Sequence, residues 1–319
     1  MALWDAADKL GAMSSATKPK PAQPDALPST VARIAVGVDG YPEGRDAATL
    51  GAVLARATGA DLMLVAVHLD PLVPLPRGMD WSSLHEQSEL MLRETRGALA
   101  PDARHVVETD FSVTRALERV VRREHRDLLV VGSSRDASDG HVRIGKRTRQ
   151  LLGHAGCALA IAPRGMHRAV EPRLARVGVG YDAGPESEAA LSLAGSIALA
   201  AGAELHVRGV VDDRISPLAY AGLGRFPTYD LEGLARSEVE ALRERTVAAA
   251  GAAGATADAD VLRGRPADRL SELCAEVDLL VIGSRRWGAV ARLLLGSTGE
   301  ALLQGAASCP VLIVPRPRG

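Results

Sequence analysis

Two segments of this 319-residue chain place a glycine-serine turn and a second glycine at the same distance. The first reads Asp127-Leu-Leu-Val-Val-Gly132-Ser133-Ser-Arg135, followed by Gly145-Lys146. The second reads Asp278-Leu-Leu-Val-Ile-Gly283-Ser284-Arg-Arg286, followed by Gly296-Ser297-Thr298. In each, an apolar run ends in Gly-Ser, and another glycine opens a helix-like stretch 13 residues after the first. Glycine lets a backbone approach an anion closely, and the free N–H groups of a helix start bind one. The chemistry indicated is phosphate binding. A Gly-Ser after a strand is also an ordinary turn, but the same gap occurring twice argues against coincidence. Asp39 and Asp182 end two further apolar runs, Arg33-Ile-Ala-Val-Gly-Val-Asp39 and Arg176-Val-Gly-Val-Gly-Tyr-Asp182. A carboxylate at such a strand tip suits a ribose hydroxyl.

Positioning these groups requires a particular fold. From Asp39 and Asp182 onward the two halves keep an offset of 143, pairing Pro42 with Pro185, Glu43 with Glu186, Gly59 with Gly202 and Leu62 with Leu205. An internal repeat of this kind takes precedence over element-by-element assignment. Ala and Leu recur at helical spacing between each proline and glycine of that set, and the glycines suit the left-handed residue past a helix end. Strands are expected at Leu62–His68 and Leu205–Val211, then at His105–Thr109 and Thr256–Leu262, Leu128–Val131 and Leu279–Ile282, and Ala158–Ala162 and Val311–Val314. Helices are expected at Ser83–Leu99 and Leu231–Ala250, and at Val113–Glu124 and Ala267–Glu276. Pro- or Gly-rich inserts, Pro71–Trp81 and Ser216–Tyr229, precede the first pair of helices. Strands alternating with helices give a parallel sheet with right-handed crossovers. The fold class is therefore α/β, as two tandem doubly wound, Rossmann-like domains of five strands each. Boundaries fall at 31–164 and 174–316, with a linker at 165–173. Residues 1–30, rich in Ala, Pro, Ser and Lys, read as a disordered arm.

Composition bounds the function. Hydrophobic residues make up 47% and aromatics only 3%, so Ala, Val and Leu must fill the core, as in helices packed on a parallel sheet. A formal net charge of -1 supplies no global field for nucleic acid. No apolar run reaches the roughly 18 residues that a membrane span needs. The first 30 residues lack the apolar core of a secretory signal. Cys157, Cys274 and Cys309 form no CxxC pair and no disulfide framework, and a cytoplasmic location fits. Cys157 and Cys309 occupy equivalent places before the last strands, where small buried residues are expected in preference to redox sensors. The eight histidines are scattered without ligand spacing. The lysines are Lys9, Lys18, Lys20 and Lys146, and only Lys146 lies in a predicted domain. That placement reflects either coding bias or a compact charge wanted for phosphate. Gly140-His-Val-Arg-Ile-Gly145-Lys146-Arg147 misses a Walker A loop, because Arg147 stands where the magnesium-binding hydroxyl belongs.

With these motifs in place, the chain resembles the universal stress protein (UspA-like) family in its tandem two-domain form, whose fold is adenine nucleotide alpha hydrolase-like. The family pattern is Gly, two residues, Gly, nine residues, Gly, then Ser or Thr. The second half matches at Gly283, Gly296 and Ser297; the first matches at Gly132 and Gly145, with Lys146 replacing the hydroxyl. The middle glycine is Arg135 in one half and Arg286 in the other. An arginine there either blocks the approach or pairs with the anion as a bidentate donor. The resemblance implies ATP or a related adenine nucleotide, with or without Mg2+. By position, Asp39 and Asp182 fall at the ribose and adenine end, Val67 and Val210 offer backbone to adenine, and Gly132-Ser133 and Gly283-Ser284 hold phosphates. The first half carries a cationic loop instead of a hydroxyl: Arg135, His141, Arg143, Lys146, Arg147 and Arg149. The expected role is a stress-response or signalling module, with ATP ordering the Arg286–Leu295 loop to alter the surface offered to a protein partner. It is not a dedicated catalyst, since no general base is aligned on a γ-phosphate. The alternatives are a nucleotide-free scaffold closed by Arg135 and Arg286, or a weak ATPase or adenylyl-transfer enzyme. The resemblance also implies an internal pseudo-dimer through the last strands, with homodimerisation of the chain left open.

Overall fold

A computed structural model describes residues 30–68, 81–154, 156–212, 231–286, 293–294 and 296–315. The N-terminal arm, the two inserts and most of the Arg286–Leu295 loop lie outside the described residues.

The first half runs β1 (Arg33–Gly37), α1 (Pro42–Thr58), β2 (Asp61–His68), α2 (Trp81–Leu99), β3 (Arg104–Thr109), α3 (Val113–Arg123), β4 (Leu128–Gly132), α4 (Lys146–His154) and β5 (Ala158–Ala162). A 3-10 turn at Met166–Arg168 leads to the second half: β6 (Arg176–Tyr181), α5 (Pro185–Ala201), β7 (Glu204–Val211), α6 (Leu231–Ala252), β8 (Ala257–Arg263), α7 (Pro266–Cys274), β9 (Leu279–Arg286), β10 (Leu293–Leu294), α8 (Ser297–Leu302) and β11 (Val311–Pro315). Local chemistry sets the repeated helix ends. Pro42 and Pro185 open α1 and α5, where a missing N–H costs nothing, and Gly59 and Gly202 close them at φ 71° and 63°.

The strands form one sheet in the order β3-β2-β1-β4-β5-β11-β9-β6-β7-β8. Every ladder within a half is parallel along this path, and the halves join through an antiparallel β5–β11 pair, with Leu159 opposite Ile313 and Ile161 opposite Val311. The last strands therefore do pair, and neither is left as an open edge. Strand alternation sends Ile34 and Val36 to one face, with Leu50, Leu54, Leu92, Ala190 and Ile197, and Ala35 to the other, with Leu117, Val120, Leu151, Leu270 and Leu302. Each face of the sheet thus carries an apolar core that spans both halves. One element differs from expectation. The strand expected to end at Ile282 continues to Arg286, because Leu293–Leu294 folds back antiparallel to it, opposite Arg286 and Arg285.

Candidate functional site

The strand order reverses at β1, which lies between β2 and β4, and at β6, which lies between β7 and β9. A crevice outside the carboxyl ends of the strands opens at such a switch point. The structure brings Asp39, Gly132, Ser133, Arg135 and the start of α4 to the first crevice. Val67 lies two residues past the last β1–β2 pair, Gly37 with Val65. Strand alternation turns its N–H and C=O to the same side as Val65, whose carbonyl accepts from Val38 N–H at 2.9 Å. Val210 lies one residue past the last β6–β7 pair, Tyr181 with Gly209. Both valines thus present backbone at the rim where the neighbouring strand has ended.

In the first half, Asp39 Oδ1 accepts from Tyr41 N–H at 3.3 Å. Asp39 keeps a solvent-exposed edge, but the packing around it pushes its carboxyl above the ordinary aspartate value. Glu43 adds to the rise, while the Tyr41 N–H and the charges of Arg135 and Arg147 oppose it. The Arg135 guanidinium lies 3.8 Å over the Tyr41 ring, and its Nε is 3.8 Å from Glu43 Oε2. Arg135 therefore closes across the crevice mouth, from the β4 loop to the start of α1. Gly132 has a packing role. A Cβ there would sit 2.2 Å from the Glu43 carbonyl oxygen, so the glycine lets α1 approach β4. Ser133 is buried, and its hydroxyl is occupied. It donates to His141 C=O at 3.3 Å and accepts from Arg143 N–H at 3.2 Å, which folds the loop back on the strand. Gly145, by contrast, has nothing nearer to an added Cβ than Ser134 Oγ at 3.6 Å. Lys146 and Arg147 are exposed at the start of α4, and no carboxylate pairs with them among the described residues.

The second half repeats this frame with different side chains. Asp182 Oδ1 accepts from Gly184 N–H at 2.9 Å and from the Ser187 hydroxyl at 2.7 Å, so the carboxylate is held in one orientation. Ala183 adopts φ 58°, the left-handed region that its repeat partner Gly40 enters at 66°. Burial and a hydrogen bond to Glu188 push the Tyr181 phenol up to about 12. Gly283 packs as Gly132 does, with an added Cβ 2.4 Å from the Glu186 carbonyl oxygen. Ser284 is fully buried, and its hydroxyl has no hydrogen-bond partner among the described residues. Gly296 caps α8 in an extended conformation, ahead of exposed Ser297 and half-buried Thr298. Arg286 ends β9, and Gly184 stands where Tyr41 does in the first half. Among the described residues, no three His, Cys, Asp or Glu side chains are grouped to hold a metal ion.

A brace behind the first crevice was not legible in the sequence. Asp46 of α1 is fully buried and accepts from Gly165 N–H, His167 N–H (both 2.8 Å) and the His167 ring at 2.5 Å. Arg164, just ahead of the linker so held, donates to the carbonyls of Arg135 at 2.6 Å and Ala137 at 2.8 Å, while Arg168 of the linker pairs with Asp139 at 2.8 Å. The loop also seats on the other half: Val142 N–H donates to Ala307 C=O at 2.8 Å and Ile144 N–H to Leu303 C=O at 2.9 Å. Sequence spacing likewise missed Tyr41, and it missed that Cys274 and Cys309 meet. A stacking aromatic two residues past a strand-tip carboxylate was the available signal for Tyr41. The cysteine contact had none.

Comparison with known proteins follows the same two halves. The model of the universal stress protein family matches residues 30–163 and 174–315. Universal stress proteins of Mycobacterium tuberculosis and Mycobacterium bovis are 28% identical over 295 residues, covering 88% of this chain and 96% of theirs. Among solved structures, a universal stress protein from Archaeoglobus fulgidus is similar with a TM-score of 0.62 at 17% identity, over 91% of this chain and 98% of that one. A protein from Pseudomonas aeruginosa described as functionally unknown gives 0.61 at 16%, over 90% and 93%. At such identities these structures speak to the fold. No helix among the described residues is long and apolar enough to cross a membrane.

Proposed function

The chain belongs to the universal stress protein family, and on that premise we propose that it is a stress-response module that binds ATP or a related adenine nucleotide in its second half. The observation that carries this reading is the contrast between the crevices. In the second half, Asp182 is already oriented by Ser187 and Gly184, and Gly184 leaves out the ring that holds Arg135 over the first crevice. A preorganised carboxylate suits a ribose hydroxyl without an ordering cost at binding. The Val210 backbone faces the adenine side. Gly283, Ser284, Arg286, Gly296, Ser297 and Thr298 take the phosphates. Mg2+, if it accompanies the nucleotide, would be held with help from Ser297 and Thr298 and would offset phosphate charge. Nucleotide occupancy favours one arrangement of the Arg286–Leu295 loop and so selects the surface offered to a partner.

The first crevice, formed by Asp39, Val67, Gly132, Ser133, Arg135, Gly145 and Lys146, is a closed counterpart. Its clasp favours the scaffold reading for that half, and a nucleotide enters only if Arg135 swings from Tyr41 to the phosphates. The role proposed is binding and not turnover.

The test is thermal unfolding of the full chain with millimolar ATP, with and without Mg2+, beside mass spectrometry of small molecules released from freshly purified protein. A ligand at 100 times its Kd stabilises the folded state by about 2.7 kcal/mol. An upward shift that Asp182→Asn and Gly296→Val remove supports the reading. No shift, and no co-purifying nucleotide, leaves the scaffold.

A further inference from the structure

Cys274 ends α7, and Cys309 stands two residues before β11. Both are buried in the same apolar cluster. Their sulfur atoms lie 2.6 Å apart, only about 0.6 Å beyond the length of a disulfide bond. We propose that Cys274 and Cys309 form an oxidation site, which a hydroperoxide converts to an intramolecular disulfide.

The roles of the two sulfurs differ. The Cys309 thiol donates to Cys274 Sγ, and the backbone N–H groups of Cys309 and Ser308 add to the effect, so Cys274 is held below the ordinary thiol value. Burial pushes Cys309 well above it. In the proposed step Cys274, whose sulfur accepts from the Cys309 thiol, is the attacking group. It takes one peroxide oxygen as the O–O bond breaks, and the other oxygen leaves as an alcohol or water after gaining a proton. Cys274 is then a sulfenic acid. The Cys309 sulfur attacks it, the S–O bond breaks, and the hydroxyl leaves as water with the Cys309 proton. In total, two thiols give up two electrons and two protons to one hydroperoxide.

The position of the bond gives it a consequence. Gly283, Ser284, Arg286, Gly296 and Ser297 all lie between the two cysteines in the chain. A cross-link closes that segment into a loop and limits the unfolded states open to it. Cys157 provides an internal control. It occupies the corresponding place ahead of β5, is buried with its thiol pushed up to about 12, and α3 carries no cysteine to meet it.

In the test, the reduced full-length chain is treated with hydrogen peroxide, quenched, unfolded in the presence of an alkylating reagent, and digested. The expected product is one peptide joining Cys274 to Cys309, two hydrogens lighter than its reduced parts, with Cys157 alkylated. Dithiothreitol restores three alkylatable thiols. The oxidised chain also melts several degrees higher, and reduction reverses the shift. In Cys309→Ser the oxidation stops at a Cys274 sulfenic acid that dimedone traps. Alkylation of all three cysteines after peroxide overturns the proposal. So does a link through Cys157 or between chains, or sulfinic acid at Cys274 of the unaltered chain.

Discussion

At the scale of single residues, the two halves differ most at one pair of positions. Tyr41 gives Arg135 a ring to stack on at 3.8 Å, and Gly184 stands in its place in the second half. If the clasp closes the first crevice, Tyr41→Gly copies the second half into the first. Titration calorimetry with ATP then finds two nucleotides per chain where the unaltered protein takes one; an unchanged count of one would assign the closure to something else. Asp39 gives a pH test of the same crevice. Its carboxyl is raised in the folded state, mainly by the packing around it, so the folded chain holds that proton more tightly than the unfolded chain does. Its contribution is therefore favourable in acid and is lost as pH rises from the ordinary aspartate range through the folded value. Asp39→Asn should make the protein more resistant to urea at neutral pH, and the gain should vanish in acid. Ala183 bears a related cost. At φ 58° its Cβ crowds the backbone where Gly40 has no such atom, and Ala183→Gly should raise stability by about 0.5–1 kcal/mol in chemical denaturation.

At the scale of elements, the motif glycines divide by what lies against them. An added Cβ at Gly132 or Gly283 meets a carbonyl oxygen of the adjacent helix at 2.2 or 2.4 Å, whereas one at Gly145 meets only a serine hydroxyl at 3.6 Å. Gly132→Ala and Gly283→Ala should each cost about 1–3 kcal/mol by forcing helix and strand apart, and Gly145→Ala should leave the melting curve in place. Asp46 holds linker to helix, and Asp46→Ala leaves two half-buried N–H donors and a ring N–H without their acceptor, a loss of about 1–3 kcal/mol readable in urea unfolding. These elements also mark how far the sequence could be read. The repeat, its proline and glycine helix ends, and the strand-tip carboxylates are local patterns, and each stands where spacing put it. The clasp of Arg135 on Tyr41 and the brace of Asp46 on His167 join residues far apart in the chain. No periodicity records such contacts, because they arise only when crossovers bring separate strand ends together. The Ser133 hydroxyl was unreadable for the same reason, since its partners are the backbone of a loop whose path depends on the opposite half.

At the scale of the whole molecule, the junction is a continuation of the sheet and not a contact between finished domains. β5 has β4 on one side and β11 on the other, and β11 has β5 and β9, so separating the halves exposes two strand edges at once. Each apolar cluster contains residues from both halves, Leu54 with Ile197 on one face and Leu152 with Leu303 on the other. The loop after β4 finds backbone partners at Leu303 and Ala307, and Arg149 pairs with Glu300 at 2.8 Å. One half that unfolded would thus take with it a strand partner, part of a core and the seat of a loop. The chain should therefore melt in a single calorimetric transition, with the calorimetric enthalpy equal to the van't Hoff enthalpy, although its sequence is a duplicate. Nucleotide bound in the second crevice alone should move that whole transition upward. Two resolved transitions, with only one of them displaced by ATP, would mean that the halves meet as independent domains and that the shared sheet does not couple them.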